Sequence, residues 1–188
     1  MKTRLVGLLA VVGGSGLTIM SSILLVVTLS TPGVRPWEVK SPFDSALMAV
    51  AGNSGIVALA VATVGLVFAF QDRISSGGAL AGSIGAVGGI VGLMGAYSFL
   101  LALPVCSAIV VWDLARARVL RSWLAAAHVA SAVGFAVLIA SYLTNTPLGV
   151  ATVVAVFYPL TWLAIGGSVL RGLPEPMAPS VRPDAHLS

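Results

Sequence analysis

Two histidines, one cysteine and six carboxylates are the stock from which acid–base or metal chemistry could be built in these 188 residues. His128 stands in Ala125-Ala126-Ala127-His128-Val129, and Asn53 in Ala51-Gly52-Asn53-Ser54-Gly55. Polar groups at membrane depth are costly and often functional, so Asn53 and His128 form the candidate intramembrane polar site. Each also has a plainer role as an interhelical or backbone hydrogen-bonding group. A zinc site takes three or four protein ligands and a haem takes an axial set. One imidazole, with no second histidine, cysteine or carboxylate at its depth, supplies neither. Cys106 lies in Leu103-Pro104-Val105-Cys106-Ser107-Ala108-Ile109, where a thiol packs as a small hydrophobe. A lone cysteine also excludes an internal disulfide and a C-x-x-C pair.

Glu38, Asp44, Asp72, Asp113, Glu175 and Asp184 all fall in expected loops, helix ends or the tail. Proton-coupled transport and intramembrane hydrolysis draw on a buried carboxylate, a metal cluster or a Ser/His pair. The sequence displays none of these. Asp113 and Arg116 (i, i+3) read as a solvated helix-end pair. The expectation is no catalytic residue, no cofactor and no metal ligand.

The most specific pattern is made of glycine. Gly78, Gly82, Gly85, Gly89 and Gly92 recur at spacings of four and three, which sets them on one helix face, and Gly88 and Gly95 widen it. Membrane helices associate where small residues let backbones approach, so this face predicts a close partner helix. That partner is either another helix of the same chain or, through a homo-oligomer or a second membrane protein, a helix from outside it. Gly13, Gly14, Gly16, Ser21 and Ser22 repeat the theme more weakly.

Composition fixes the elements that carry these residues. Hydrophobic residues make up 58% of the chain and charged ones 9%, with a mean hydropathy of +1.05. A soluble domain carries about 25% charged residues. So few charges cannot cover a water-facing surface, which excludes a soluble enzyme and a disordered chain. The net charge of +4 belongs to arginines at helix ends. Nucleic acid is excluded as a partner, because no basic run carries interleaved aromatics; the partner is the lipid bilayer.

Leu5–Val34, Ser45–Gln71, Ile74–Trp112 and Ser122–Leu170 contain no Asp, Glu, Lys or Arg. A span takes about 20 residues, and Thr144-Asn145-Thr146-Pro147 is a turn signal that divides the last stretch. The third stretch, as one helix, would run to about 58 Å, nearly twice the hydrocarbon thickness. Two spans meeting near Met94-Gly95-Ala96-Tyr97-Ser98 fit better. Six spans gather Lys2, Arg4, Arg73, Arg116, Arg118, Arg121, Arg171 and Arg182 on the cytoplasmic side, against Arg35 and Lys40 outside. Five spans with an outside N-terminus are the alternative. The fold class is therefore an all-α polytopic transmembrane bundle without a soluble domain. Its spans lie near 5–29, 45–70, 75–94, 97–112, 122–143 and 149–170.

Met1-Lys2-Thr3-Arg4 opens an apolar stretch too long for a signal peptide, so it reads as an uncleaved first span. Residues 172–188, with four prolines and His186, read as a disordered cytoplasmic tail. Pro32, Pro36, Trp37, Pro42 and Phe43 make an outer interfacial loop, and Trp112, Trp123 and Trp162 read as belt residues. Pro104 and Pro159 each stand twelve positions before an arginine, Arg116 and Arg171. Both helices are thus expected to run from outside inward. The stretch Trp112-Asp113-Leu114-Ala115-Arg116-Ala117-Arg118-Val119-Leu120-Arg121-Ser122-Trp123 resembles segments of bacterial multi-pass proteins. That resemblance implies a bacterial inner membrane and no particular activity. The functional expectation is a non-enzymatic membrane protein of structural, assembly or regulatory type. Solute or ion permeation is the first alternative and a lipid-acting membrane enzyme the second.

Overall fold

The computed structural model describes residues 2–31, 33, 42–146 and 150–172. The outer-loop reading at Trp37 and the tail with His186 lie outside the described residues. In chain order come α1 (Lys2–Ser30), α2 (Pro42–Ala69), α3 (Ser76–Leu93), a 3-10 turn (Tyr97–Leu101) running into α4 (Ala102–Arg116), α5 (Ser122–Thr144), α6 (Val150–Ala155) and α7 (Phe157–Leu170). Among the described residues there is no strand. Six helical segments are long and apolar enough to cross a membrane, the fourth joining the 3-10 turn to α4 and the sixth spanning α6 and α7. This is an all-α bundle with the architecture of a multi-pass membrane protein.

The long charge-free stretch is two spans. Helix α3 ends at Leu93, and Gly95 at φ +109° reverses the chain before Tyr97, a conformation that glycine adopts without steric cost. The sixth span is interrupted at Val156. Pro159 has no N–H, so the carbonyl of Ala155 lacks its helical donor and the helix is broken one turn earlier.

Each span packs on its chain neighbours, and α7 packs back on α1, which closes the six spans into a ring. The closure is tight because α1 presents glycine on two sides. Gly13 and Gly16 meet α2, where a methyl group on Gly16 would stand 2.6 Å from the Ala51 carbonyl oxygen. Gly7 and Gly14 meet α7, where methyl groups would stand 3.1 Å from the Gly166 oxygen and 2.9 Å from the Pro159 oxygen. These are backbone-to-backbone approaches. The glycines of α3 meet side chains and backbone alike. Gly82 faces the side chains of Val67 and Val110 and Gly85 that of Cys106, while methyl groups on Gly88 and Gly92 would stand 2.9 Å from the Phe99 oxygen and the Leu100 nitrogen of the 3-10 turn. Gly88 is tighter than Gly89, whose added methyl would find ordinary contacts at 3.6 Å.

The contacts Gly65–Val6, Gly7–Leu170 and Gly78–Asp113 bring the N-termini of α1 and α3 and the C-termini of α2, α4 and α7 to one end of the bundle. Arg4, Arg73, Arg116, Arg118, Arg121 and Arg171 therefore share that end. Helices α4 and α7 both run toward it, with Arg116 closing α4 and Arg171 at the C-cap of α7.

Two local devices fix this end. The α4–α5 turn is a Schellman motif: Val119 N–H donates to the Leu114 carbonyl at 2.8 Å and Arg118 N–H to the Ala115 carbonyl at 3.0 Å. Arg118 takes the left-handed position at φ +59°, and Val119 and Leu114 are both buried, the apolar contact that accompanies the motif. Asp113, expected to pair with Arg116, instead accepts from the Ser75 backbone N–H at 3.3 Å and from its hydroxyl. Ser75 in turn caps α3 by accepting from Gly78 N–H at 3.0 Å. A carboxylate at a helix N-terminus meets free N–H groups and the positive end of the dipole, which outweighs an exposed pair with arginine.

Candidate functional site: a buried hydroxyl–imidazole centre

His128 is fully buried in the middle of the bundle. Helix α5 carries it, while α4 and α7 pack against α5 from either side and bring hydroxyls to both ring nitrogens. Ser107 of α4 places Oγ 3.2 Å from Nε2. Thr161 of α7 places Oγ1 2.8 Å from Nδ1. The Tyr158 hydroxyl lies 3.0 Å from Ser107 Oγ, and Ser131 donates to the His128 carbonyl at 3.0 Å. Ser107 and Thr161 each sit within reach of the carbonyl three residues back, Pro104 at 3.0 Å and Tyr158 at 2.7 Å.

Aromatic rings enclose the imidazole. Tyr158 lies 5.2 Å from it at 32° and Trp162 lies edge-on at 5.3 Å and 87°. Phe135 stacks on the far side of Tyr158 at 4.7 Å. Trp162, expected in the interfacial belt, is instead wholly buried, whereas Trp112 and Trp123 are exposed. It sits at the depth of the polar centre with its ring edge-on to His128.

The proton count closes in two ways. With hydrogen on Nε2, His128 donates to Ser107, Ser107 donates to the Pro104 carbonyl and Thr161 donates to Nδ1. With hydrogen on Nδ1, His128 donates to Thr161, Thr161 donates to the Tyr158 carbonyl and Ser107 donates to Nε2. Tyr158 donates to Ser107 in both. Hydroxyls act as donor and acceptor at once, so a neutral imidazole is satisfied in either tautomer. No carboxylate is needed.

The sequence displayed no Ser/His pair, and the structure supplies one. Ser107, His128 and Thr161 stand in the order of nucleophile, base and orienting group, with a hydroxyl where hydrolases usually carry a carboxylate. The arrangement is nevertheless buried: Ser107, His128, Tyr158 and Trp162 are each 0% exposed, Ser131 is 3% and Thr161 9% exposed. Asn53 is not part of it. The structure places Asn53 exposed on the outer surface of α2, separate from His128. Among the described residues, no group of three His, Cys, Asp or Glu side chains stands close enough to share a metal ion.

Among the described residues, Ser21 Oγ and Thr152 Oγ1 are buried without a hydrogen-bond partner.

The chain matches no known protein family, no curated protein and no solved structure.

Proposed function

We propose that the chain is a non-catalytic membrane protein of structural, assembly or regulatory type, acting through the surface it offers to lipid and to neighbouring membrane proteins. The observation that carries this reading is the burial of the polar centre. Its hydroxyls and imidazole spend their bonding capacity on one another, and the Tyr158 and Trp162 rings pack against the imidazole. A centre of that kind fixes three spans in one mutual register. Burying polar groups in a bilayer is costly unless they are paired, so the bonds specify which helix faces meet. The arginine end belongs in the cytoplasm of a bacterial inner membrane under the positive-inside rule. A partner protein docks on an outer face, since α2 and α4 already cover the glycine face of α3.

One observation favours a second reading, the Ser107–His128 geometry of a lipid-acting hydrolase. A single set of purified samples separates them. Wild type and Ser107→Ala are treated with a fluorophosphonate probe in nanodiscs and reconstituted for ion and solute flux. The expected result is no labelling, flux equal to empty liposomes, and a lower melting temperature for Ser107→Ala. Labelling of wild type that Ser107→Ala abolishes puts the hydrolase first; flux that Ser107→Ala alters puts permeation first.

A further inference from the structure

We propose that the α4–α5 turn is a binding site for an anionic phospholipid, with Arg116, Arg118 and Arg121 holding the headgroup phosphate and Trp112 and Trp123 flanking it. The proposal takes from the preceding reading only that the bundle sits in a bilayer. All three arginines are exposed. Among the described residues no ion pair engages them, and Asp113, the acid of the same turn, is committed to Ser75. Unpaired guanidiniums at a lipid interface are matched in charge and fork geometry to a phosphate.

The two tryptophans support the same placement. They are 44% and 61% exposed, which sets their rings at the level where headgroups begin. The Arg116 guanidinium stands over the Trp112 ring, 5.8 Å from its centre, so the charge is held at the interface instead of extending into water. Arg4, Arg73 and Arg171 stand at the same end of the bundle, where Asp72 and Asp113 are the acids among the described residues. The local field therefore favours an anionic lipid over a zwitterionic one.

Arg118 adds an argument of a different kind. It occupies the left-handed C′ position of the Schellman motif, at φ +59°, where glycine is the residue that fits without strain. For the fold alone, glycine is the better choice. Arg118→Gly therefore separates the two roles. If arginine serves the turn, the variant loses stability; if it serves the lipid, the variant gains stability and loses binding.

The test uses full-length protein in phosphatidylcholine nanodiscs containing a minor share of brominated phosphatidylglycerol or brominated phosphatidylcholine. Tryptophan quenching is the readout. A Trp37→Phe background leaves Trp112 and Trp123 as reporters, with buried Trp162 as the internal unquenched ring. The expected result is stronger quenching by the glycerol lipid, with Arg118→Gly lowering that preference roughly fivefold, the factor for one arginine at an anionic surface. The same variant should melt at a higher temperature. Arg116→Gln, which leaves the turn geometry alone, should lower the preference similarly. Equal quenching by both lipids, or an unchanged preference in both variants, overturns the site. Relief of quenching by millimolar inorganic phosphate overturns the lipid as occupant and leaves a free phosphate site.

Discussion

Thr152 and Thr161 lie nine residues apart on the sixth span, both buried, and differ in one respect. Thr161 bonds His128 and the Tyr158 carbonyl; Thr152 bonds nothing. Valine is nearly isosteric with threonine and lacks the hydroxyl, so one substitution made twice isolates the hydrogen bond. Thr161→Val strands His128 Nδ1 and should cost about 1–3 kcal/mol, the penalty for an orphaned buried partner. Thr152→Val removes a polar group already without a partner and should be neutral or stabilising. Reversible unfolding in detergent measures both, and a loss of equal size in the two variants would dissolve the distinction. Tyr158→Phe falls between them: it leaves Ser107 bonded to His128 and should cost about 0.6 kcal/mol, the average for side-chain bonds in membrane cycles.

At the scale of helices, the glycines rank by what stands opposite them. The α3 face attracts attention in the sequence through its regular spacing, whereas the glycines of α1 look irregular because they serve two neighbours, α2 and α7. The closest backbone approaches fall at Gly16 of α1 and Gly166 of α7, tighter than the 2.9 Å at Gly88 and Gly92 of α3. Gly16→Ala must displace the backbone of α2 and Gly166→Ala that of α1, where a methyl would stand 2.7 Å from the Gly7 oxygen. Each should cost about 1–3 kcal/mol, the range for overpacking. Gly89→Ala meets only ordinary contacts and Gly167→Ala meets nothing within 4 Å. Those two should be neutral or stabilising by up to about 1 kcal/mol, the propensity difference between glycine and alanine. Thermal melting of the four variants orders them; Gly16→Ala as stable as Gly167→Ala would show that backbone contact at α1 does not limit the bundle.

The same comparison tells how far the sequence can be read. Charge-free runs and arginine placement set the six spans, because length and charge are one-dimensional constraints that a bilayer imposes directly. The polar centre was half legible. His128 stood out, but its partners are a serine, a threonine and a tyrosine, residues common in membrane helices. A depth count offered the missing signal. Ser107 precedes Arg116 by nine residues, His128 follows Arg121 by seven and Thr161 precedes Arg171 by ten, which sets all three about 10–15 Å from the arginine end. Depth does not settle which faces turn inward, and for Asn53 that rotation decided the matter: it is exposed on α2.

For the whole molecule, the ring and its arginine end define two opposite surfaces. In a Cys106→Ser background, cysteines at Ser98 and Asn145 should react with an impermeant maleimide in intact cells. Cysteines at Arg73 and Gly172 should react only after permeabilisation. Labelling of all four from one side would break the six-span topology, and labelling of the second pair alone in intact cells would invert it.

The closure of α1 against α7 also sets an order of events during synthesis. Helix α1 enters the bilayer before α2 and α7, and its Gly13–Gly16 side finds α2 as soon as that span follows. Its Gly7–Gly14 side waits until α7 has left the ribosome. Through that interval a nascent chain shows lipid a groove shaped for a helix not yet made. A chain stalled before α7 keeps that groove open to lipid.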